Sequence, residues 1–128
     1  MSLTPSDYDK GYNAATADLM EESAVRNWGQ WIVLSKGPFY KVKKLIIHPG
    51  CAISNQYHEH RTETWCIIQG RGQAFIDGDI EVLQKGTIIT IQPKSIHKVL
   101  NLSDSEDLIA IEVQTGEICE EDDIVRIE

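Results

Sequence analysis

Two histidines one residue apart, His58 and His60, stand close to a carboxylate, Glu63. Side chains two apart on a strand point to one face. The pair is therefore expected to offer two imidazoles to a metal ion, half of a tetrahedral site. Glu63 has the opposite parity and joins them only if the chain bends at Arg61-Thr62. His97, just after the Pro93 turn, is expected to add a third imidazole. Three imidazoles and a carboxylate suit a divalent transition metal, with zinc first and cobalt, manganese, iron or nickel open. Gln56 shares the parity of His58 and is expected to line the same cavity. His48, before Pro49, has no partner in the pattern and is read as structural.

These groups need a scaffold, and the pattern around them is that of short strands. Residues 31–34 (WIVL) form one β-rich run. Residues 39–47 (FYKVKKLII) alternate, with Tyr40, Val42 and further apolar positions set between lysines. Residues 64–69 (TWCIIQ) are apolar at both parities, which predicts a strand buried on both faces, with Cys66 in the core. Residues 74–76 and 80–83 flank Asp77-Gly78-Asp79, a strong hairpin signal because both turn positions need positive φ. Residues 87–91, 99–100 and 108–113 complete the set. Turns recur too often for long helices, so an antiparallel sandwich or barrel is expected. Residues 1–25 read as an acidic arm, with a short helix possible over 13–22.

The chain has 128 residues, a size for one domain with a core of its own. Its net charge of −8 argues against nucleic acid and anionic membranes as partners. The charge is uneven. Residues 1–103 carry 10 acids and 11 bases, whereas residues 104–128 carry 10 acids and one base, Arg126. The acidity thus belongs to the C-terminal end, read either as a solvated tail or as a docked last strand. In the second reading Ile124 and Val125 dock, the acids face water and Arg126 nears the cavity. Three cysteines without CxxC spacing fit reduced thiols in a cytoplasmic protein. No apolar run reaches the roughly 18 residues of a membrane span.

The spacing of these groups resembles a known family. Residues 50–70, GCAISNQYHEHRTETWCIIQG, resemble the first cupin motif: a glycine, HxH, a glutamate and a glycine seven residues later. Residues 86–101, GTIITIQPKSIHKVLN, resemble the second, in which an asparagine follows the histidine by four, as Asn101 follows His97. RNWGQWIVL, YKVKKLIIHPG, QYHEHRTETW, IEVQTGE and EEDDIVRIE look like the cupin module of type II mannose-6-phosphate isomerases. That module often accompanies a mannose-1-phosphate guanylyltransferase part, whose glycine-rich nucleotide loop this sequence lacks. The resemblance covers about residues 26–128, taken as the cupin domain.

The resemblance implies a jelly-roll β-barrel with His58, His60, Glu63 and His97 as metal ligands. It implies aldose–ketose isomerisation of mannose 6-phosphate and fructose 6-phosphate. Arg61 matches the arginine of the family motif, expected to bind substrate or stabilise an enediolate, and Gln56 is a candidate for sugar hydroxyls. Lys41, Lys43, Lys44, Lys98 and Arg126 are candidates for phosphate. No catalytic base stands out. By analogy a homodimer is expected. Thr64 stands where the family motif has a histidine. Ser95 replaces a glycine, and His97 comes four rather than five residues after Pro93. A non-catalytic sugar-binding module and another cupin metalloenzyme, a dioxygenase or an epimerase, are the alternatives.

Overall fold

The structure, a computed structural model, describes residues 22–117, 119 and 123–127. The helix expected over 13–22 falls outside the described residues, apart from Glu22. Among the described residues eleven strands follow one another: β1 (Ser23–Arg26), β2 (Gly29–Gly37), β3 (Tyr40–Ile47), β4 (Ala52–His58), β5 (Arg61–Gln69), β6 (Gly72–Ile76), β7 (Asp79–Leu83), β8 (Ile88–Ile91), β9 (His97–Asn101), β10 (Leu108–Gly116) and β11 (Ile124–Arg126). They build two sheets, ordered β1-β2-β3-β10-β5-β8 and β11-β4-β9-β6-β7. Every pairing is antiparallel. The last residues of the expected arm therefore belong to the first sheet, because Ser23, Ala24 and Val25 pair with β2. No helix among them is long and apolar enough to cross a membrane.

Alternation along the strands decides what the sheets enclose. On β5 the inward row is Arg61, Glu63, Trp65 and Ile67, all buried, while Ile68 is 46% exposed. The strand is thus buried on one face and not two, and Cys66 sits half-buried on the outer face. On β3 the inward row is Lys41, Lys43, Leu45 and Ile47, so Tyr40 and Val42 do not form the core face. The apolar part of the interior combines Leu45, Ile47, Ile67, Leu108 and Ala110 of one sheet with Ile53, Ala74, Leu83 and Val99 of the other.

Two local devices aim the second sheet. Across β4 and β9, Ile53 pairs Val99 while Gln56 pairs His97. Three residues on one strand oppose two on the other, a bulge that shifts parity. Ile53, Gln56 and His58 consequently all face inward. The other device is the β6–β7 turn. Asp77 and Gly78 have φ of 49° and 88°, the two positive values of a type I′ turn. Asp77 also reaches outside its hairpin: its Oδ1 accepts from Ile96 N at 2.9 Å, and its N donates to Ile96 O at 2.8 Å. The loop leading into His97 is pinned there. Within it the left-handed residue is Lys94, with φ 69°, rather than Ser95.

Asn101 closes the frame. Its Nδ2 donates to Ile47 O and Glu106 O, both at 2.8 Å, and its Oδ1 accepts from Ser103 N at 2.9 Å. With its amide bonded on both sides, it ties β9 to the end of β3. His48 is a surface residue paired with Asp107 at 3.1 Å.

Candidate metal centre and pocket

At the end of the barrel away from Leu108, the inward rows turn polar. β4 brings Gln56 and His58, β5 brings Arg61 and Glu63, β9 brings His97, and β10 brings Glu112 and Gln114, all buried. β4 ends at His58, and Glu59 and His60 form the bend that leads into Arg61. The bend therefore comes two residues before Arg61-Thr62, where the sequence placed it. It restores inward parity to Glu63.

It also removes His60 from the expected ligand set. The His60 side chain is 44% exposed, and its Nδ1 lies 2.7 Å from Asp123 Oδ1. Asp123 Oδ2 accepts the His60 backbone N–H at 3.1 Å. The hydrogen bond to Asp123 raises the pKa of the ring against desolvation, with the charges of Asp123, Glu59 and Glu117 adding to the rise. Burial would raise the Asp123 carboxyl, but the ring and backbone hydrogen bonds of His60 and the charges of His60 and Arg61 hold it below its usual value. Asp123 is thus buried and paired, contrary to an acidic end that only faces water. Glu120, Glu121 and Asp122 lie outside the described residues. Ile124 and Val125 do form a strand, paired with His58 and Tyr57 of β4.

Three of the expected groups converge. His58, Glu63 and His97 each offer a ligand atom, all within 4.8 Å of one another. His58 Nε2 is 2.8 Å from Glu63 Oε2, and His97 Nε2 is 4.0 Å from Glu63 Oε1. His97 Nδ1 donates to the Ser95 carbonyl at 3.0 Å. That bond places the ring proton on Nδ1, so in the neutral ring Nε2 presents a lone pair. Burial lowers the His97 pKa, against the charge of Glu63 and the Ser95 hydrogen bond, and favours the neutral ring. Nε2 is buried without a hydrogen-bond partner, as is His58 Nδ1. A lone pair aimed at a carboxylate with no proton between them is a place that fits a cation. Gln56, opposite His97 in the ladder and on the face of His58, is the fourth inward group at this level in place of His60.

Glu63 is held on all sides. Arg61 Nε donates to Oε2 at 3.0 Å, Arg61 Nη2 lies 3.0 Å from the same oxygen, and Trp65 Nε1 donates to Oε1 at 3.0 Å. Burial alone would raise its pKa, but hydrogen bonds from His58 and Glu112 and the charges of His58 and Arg61 hold it well below the usual range. Glu112 goes the other way. Burial, then the charge of Glu63 and the hydrogen bond between the two carboxyls, raise it well above, against Lys43 and Arg61. Gln114 Nε2 donates to Glu112 Oε1 at 2.8 Å.

Glu112 was missed in the sequence. Its signal was parity: Leu108, Ala110, Glu112 and Gln114 share one face of an otherwise apolar strand. Lys43 was named only as a phosphate candidate. It is buried beside Glu112 in the ladder, with Nζ 4.2 Å from the centre of the Trp31 ring. Thr64 lies on the outer face of β5, so the change from the family's histidine does not touch the pocket.

The pocket encloses about 60 Å³ and is lined by the chain's three tryptophans, Trp28, Trp31 and Trp65, together with Lys43, Arg61, Glu63 and Glu112. Arg26, Trp28, Ser54 and Arg126 also line an outer groove of about 450 Å³, so the two spaces share their mouth.

Two face-packed antiparallel sheets with a buried histidine–carboxylate cluster at one end define a cupin, the double-stranded β-helix form of the jelly roll. Solved structures agree on the fold. A conserved protein with a double-stranded β-helix domain from Klebsiella pneumoniae has a TM-score of 0.66 at 23% identity, over 76% of this chain and 82% of that one. The Cnp3 cupin domain of Schizosaccharomyces pombe has a TM-score of 0.65 at 14% identity, over 68% and 64%. More narrowly, residues 13–128 match the family described as mannose-6-phosphate isomerase C-terminal, and the chain belongs to that family. Among its relatives is the mannose-1-phosphate guanylyltransferase of Escherichia coli K12, 38% identical over 101 residues. The match takes in 79% of this chain but only 21% of that protein.

Proposed function

We propose that the pocket isomerises a hexose phosphate between its aldose and ketose forms, the pair being mannose 6-phosphate and fructose 6-phosphate. One observation carries this reading: an ionised carboxylate, a carboxyl with a raised pKa and a guanidinium meet in one buried pocket. Isomerisation moves a proton between adjacent carbons and passes through an enediolate. Glu112 is suited to carry that proton, because a raised pKa brings a carboxyl closer to neutral pH, where transfer is efficient. Arg61, fixed by Glu63, offers its positive charge to the developing oxyanion in a low-dielectric site. Gln56 offers an amide to sugar hydroxyls. His58, Glu63 and His97 would hold a divalent metal, which supplies Lewis-acid polarisation of the carbonyl. Nucleotidyl transfer, the activity in the relatives' names, is not assigned to a segment spanning a fifth of their length.

The test is a coupled assay of the metal-loaded chain with mannose 6-phosphate. Formation of fructose 6-phosphate is expected. Its absence across zinc, cobalt, manganese and iron would overturn the reading and favour a non-catalytic sugar-binding module. The His58→Ala, His97→Ala double variant is expected to lose bound metal by elemental analysis while its circular dichroism stays that of the β fold.

A further inference from the structure

The four cations of the pocket are not equivalent. Arg61 is committed to Glu63 and His58, and Lys43 lies over the Trp31 ring beside Glu112. The remaining two, Arg26 and Arg126, stand at the mouth. They come from edge strands of different sheets, β1 and β11, and both line the inner pocket as well as the outer groove. Neither makes an ion pair with a carboxylate among the described residues. Arg26 Nη1 donates to the carbonyl of its neighbour Val25 at 3.3 Å, and its guanidinium carbon lies 5.9 Å from the centre of the Trp31 ring. Among the described residues, the groove they share with Val25, Asn27, Trp28 and Ser54 is lined by no acid, in a chain whose net charge is −8. Two guanidiniums lining one groove offer paired, forked donors suited to an anion.

We infer that Arg26 and Arg126 form a clamp for the terminal phosphate of a phosphorylated sugar. The assignment rests on the proposed reading in one respect: the sugar's reacting carbons lie inward. In a hexose 6-phosphate the carbonyl carbon and its neighbour are at one end and the phosphate at the other. The pocket has the same polarity, with Arg61, Glu63 and Glu112 at its base and the clamp at its rim. Trp28 lines both spaces and gives the apolar face of the sugar a surface between the two ends. Arg126 is positioned by pairing with Gln56 across β11 and β4. A substrate held this way bridges the two sheets at their open edge.

All three tryptophans line the pocket, so intrinsic fluorescence reports binding without turnover. The full chain and its Arg26→Gln, Arg126→Gln and double variants are titrated with mannose 6-phosphate, fructose 6-phosphate, mannose, glucuronate and inorganic phosphate. Each lost charge-assisted contact is worth about tenfold or more in affinity. The double variant is therefore expected to bind the sugar phosphates about a hundredfold more weakly. Its mannose affinity and thermal midpoint should stay as in the parent, and the Arg→Lys pair should recover part of the loss. Sugar-phosphate affinity unchanged in the double variant overturns the clamp. So does parental binding no tighter for mannose 6-phosphate than for mannose, or tighter for glucuronate. The two proposals fail separately. Clamp-dependent binding in a chain that never turns over supports the clamp and removes the isomerase. Turnover with an unchanged KM in the double variant overturns the clamp and keeps the isomerase.

Discussion

The two ends of the barrel interior are built by the same strands and differ in one respect, the polarity of the inward row. On β3 the row runs from Ile47 and Leu45 to Lys43 and Lys41, and on β5 from Ile67 and Trp65 to Glu63 and Arg61. On β10 it runs from Leu108 and Ala110 to Glu112 and Gln114. On β3 and β10 the switch falls at one level, where Lys43 pairs Glu112, and on β5 it comes one inward position later, because Glu112 pairs Trp65 and Gln114 pairs Glu63. The apolar end gains free energy from each side chain removed from water. The polar end has to recover the cost of burying charge through mutual contacts, and such contacts seldom exceed that cost. Stability should therefore reside mainly in one end and chemistry in the other.

The largest expected effect is on rate. Glu112→Gln keeps size and hydrogen bonding but cannot carry a proton, and kcat is expected to fall about 10²–10⁴-fold. A thermal midpoint equal to the parent's should accompany the loss. A rate within threefold of the parent would remove Glu112 from the chemistry.

Arg61→Met comes next. It leaves the buried Glu63 carboxylate without its guanidinium, an expected cost of about 3–5 kcal/mol in urea unfolding. Adding Glu63→Gln should restore much of it, since the uncompensated charge is then gone. Without such coupling the polar end would not be held by pairing.

Leu108→Ala tests the other end. A cavity there is expected to cost about 2–5 kcal/mol. The fraction still folded should bind sugar phosphates as the parent does. A changed affinity would mean that the two ends are not separable.

The smallest effect is a pH window at the rim. The His60 pKa is raised above 6.5, so its contribution is complete below 6.5 and is lost as pH rises through the raised value. The Asp123 pKa is lowered below 3.8, so its contribution is complete above 3.8 and is lost as pH falls through the lowered value. Between about 3.8 and 6.5 both hold, and amide exchange at Val125 should be slowest there relative to the intrinsic rate. Outside that window the backbone N–H of His60 still bonds Asp123 while the carboxylate is ionised, so the strand should loosen more on the acid side. An exchange profile flat in pH would show that this pair does not hold β11.

Much of the fold was legible because alternation and turn chemistry are local. Asp77-Gly78 marked its hairpin through the positive φ that the turn requires. β1 was not legible: Ser23–Arg26 is only four residues, SAVR, and its structure comes from pairing with β2. At the site, the convergence of His58, Glu63 and His97 was legible from type and spacing, whereas His60, expected to join them, lies outside the cluster. Strand parity holds only while the strand lasts, and no glycine or proline announces that β4 ends at His58. The same limit hid the route by which Gln56 faces inward, which passes through a bulge set by pairing with β9. Glu112 and the lysines of β3 were hidden differently. A charged residue amid apolar ones reads as an outward position, until the opposite row is seen to lie outside the barrel.

The β6–β7 turn looks like a permissive place to splice in a tag or a sensor, being short, exposed and far from the histidines in sequence. Its Asp77 carboxylate and amide grip Ile96, and two bonds beyond the hairpin make it part of the mounting of His97. An insertion there would disturb His97, twenty residues away.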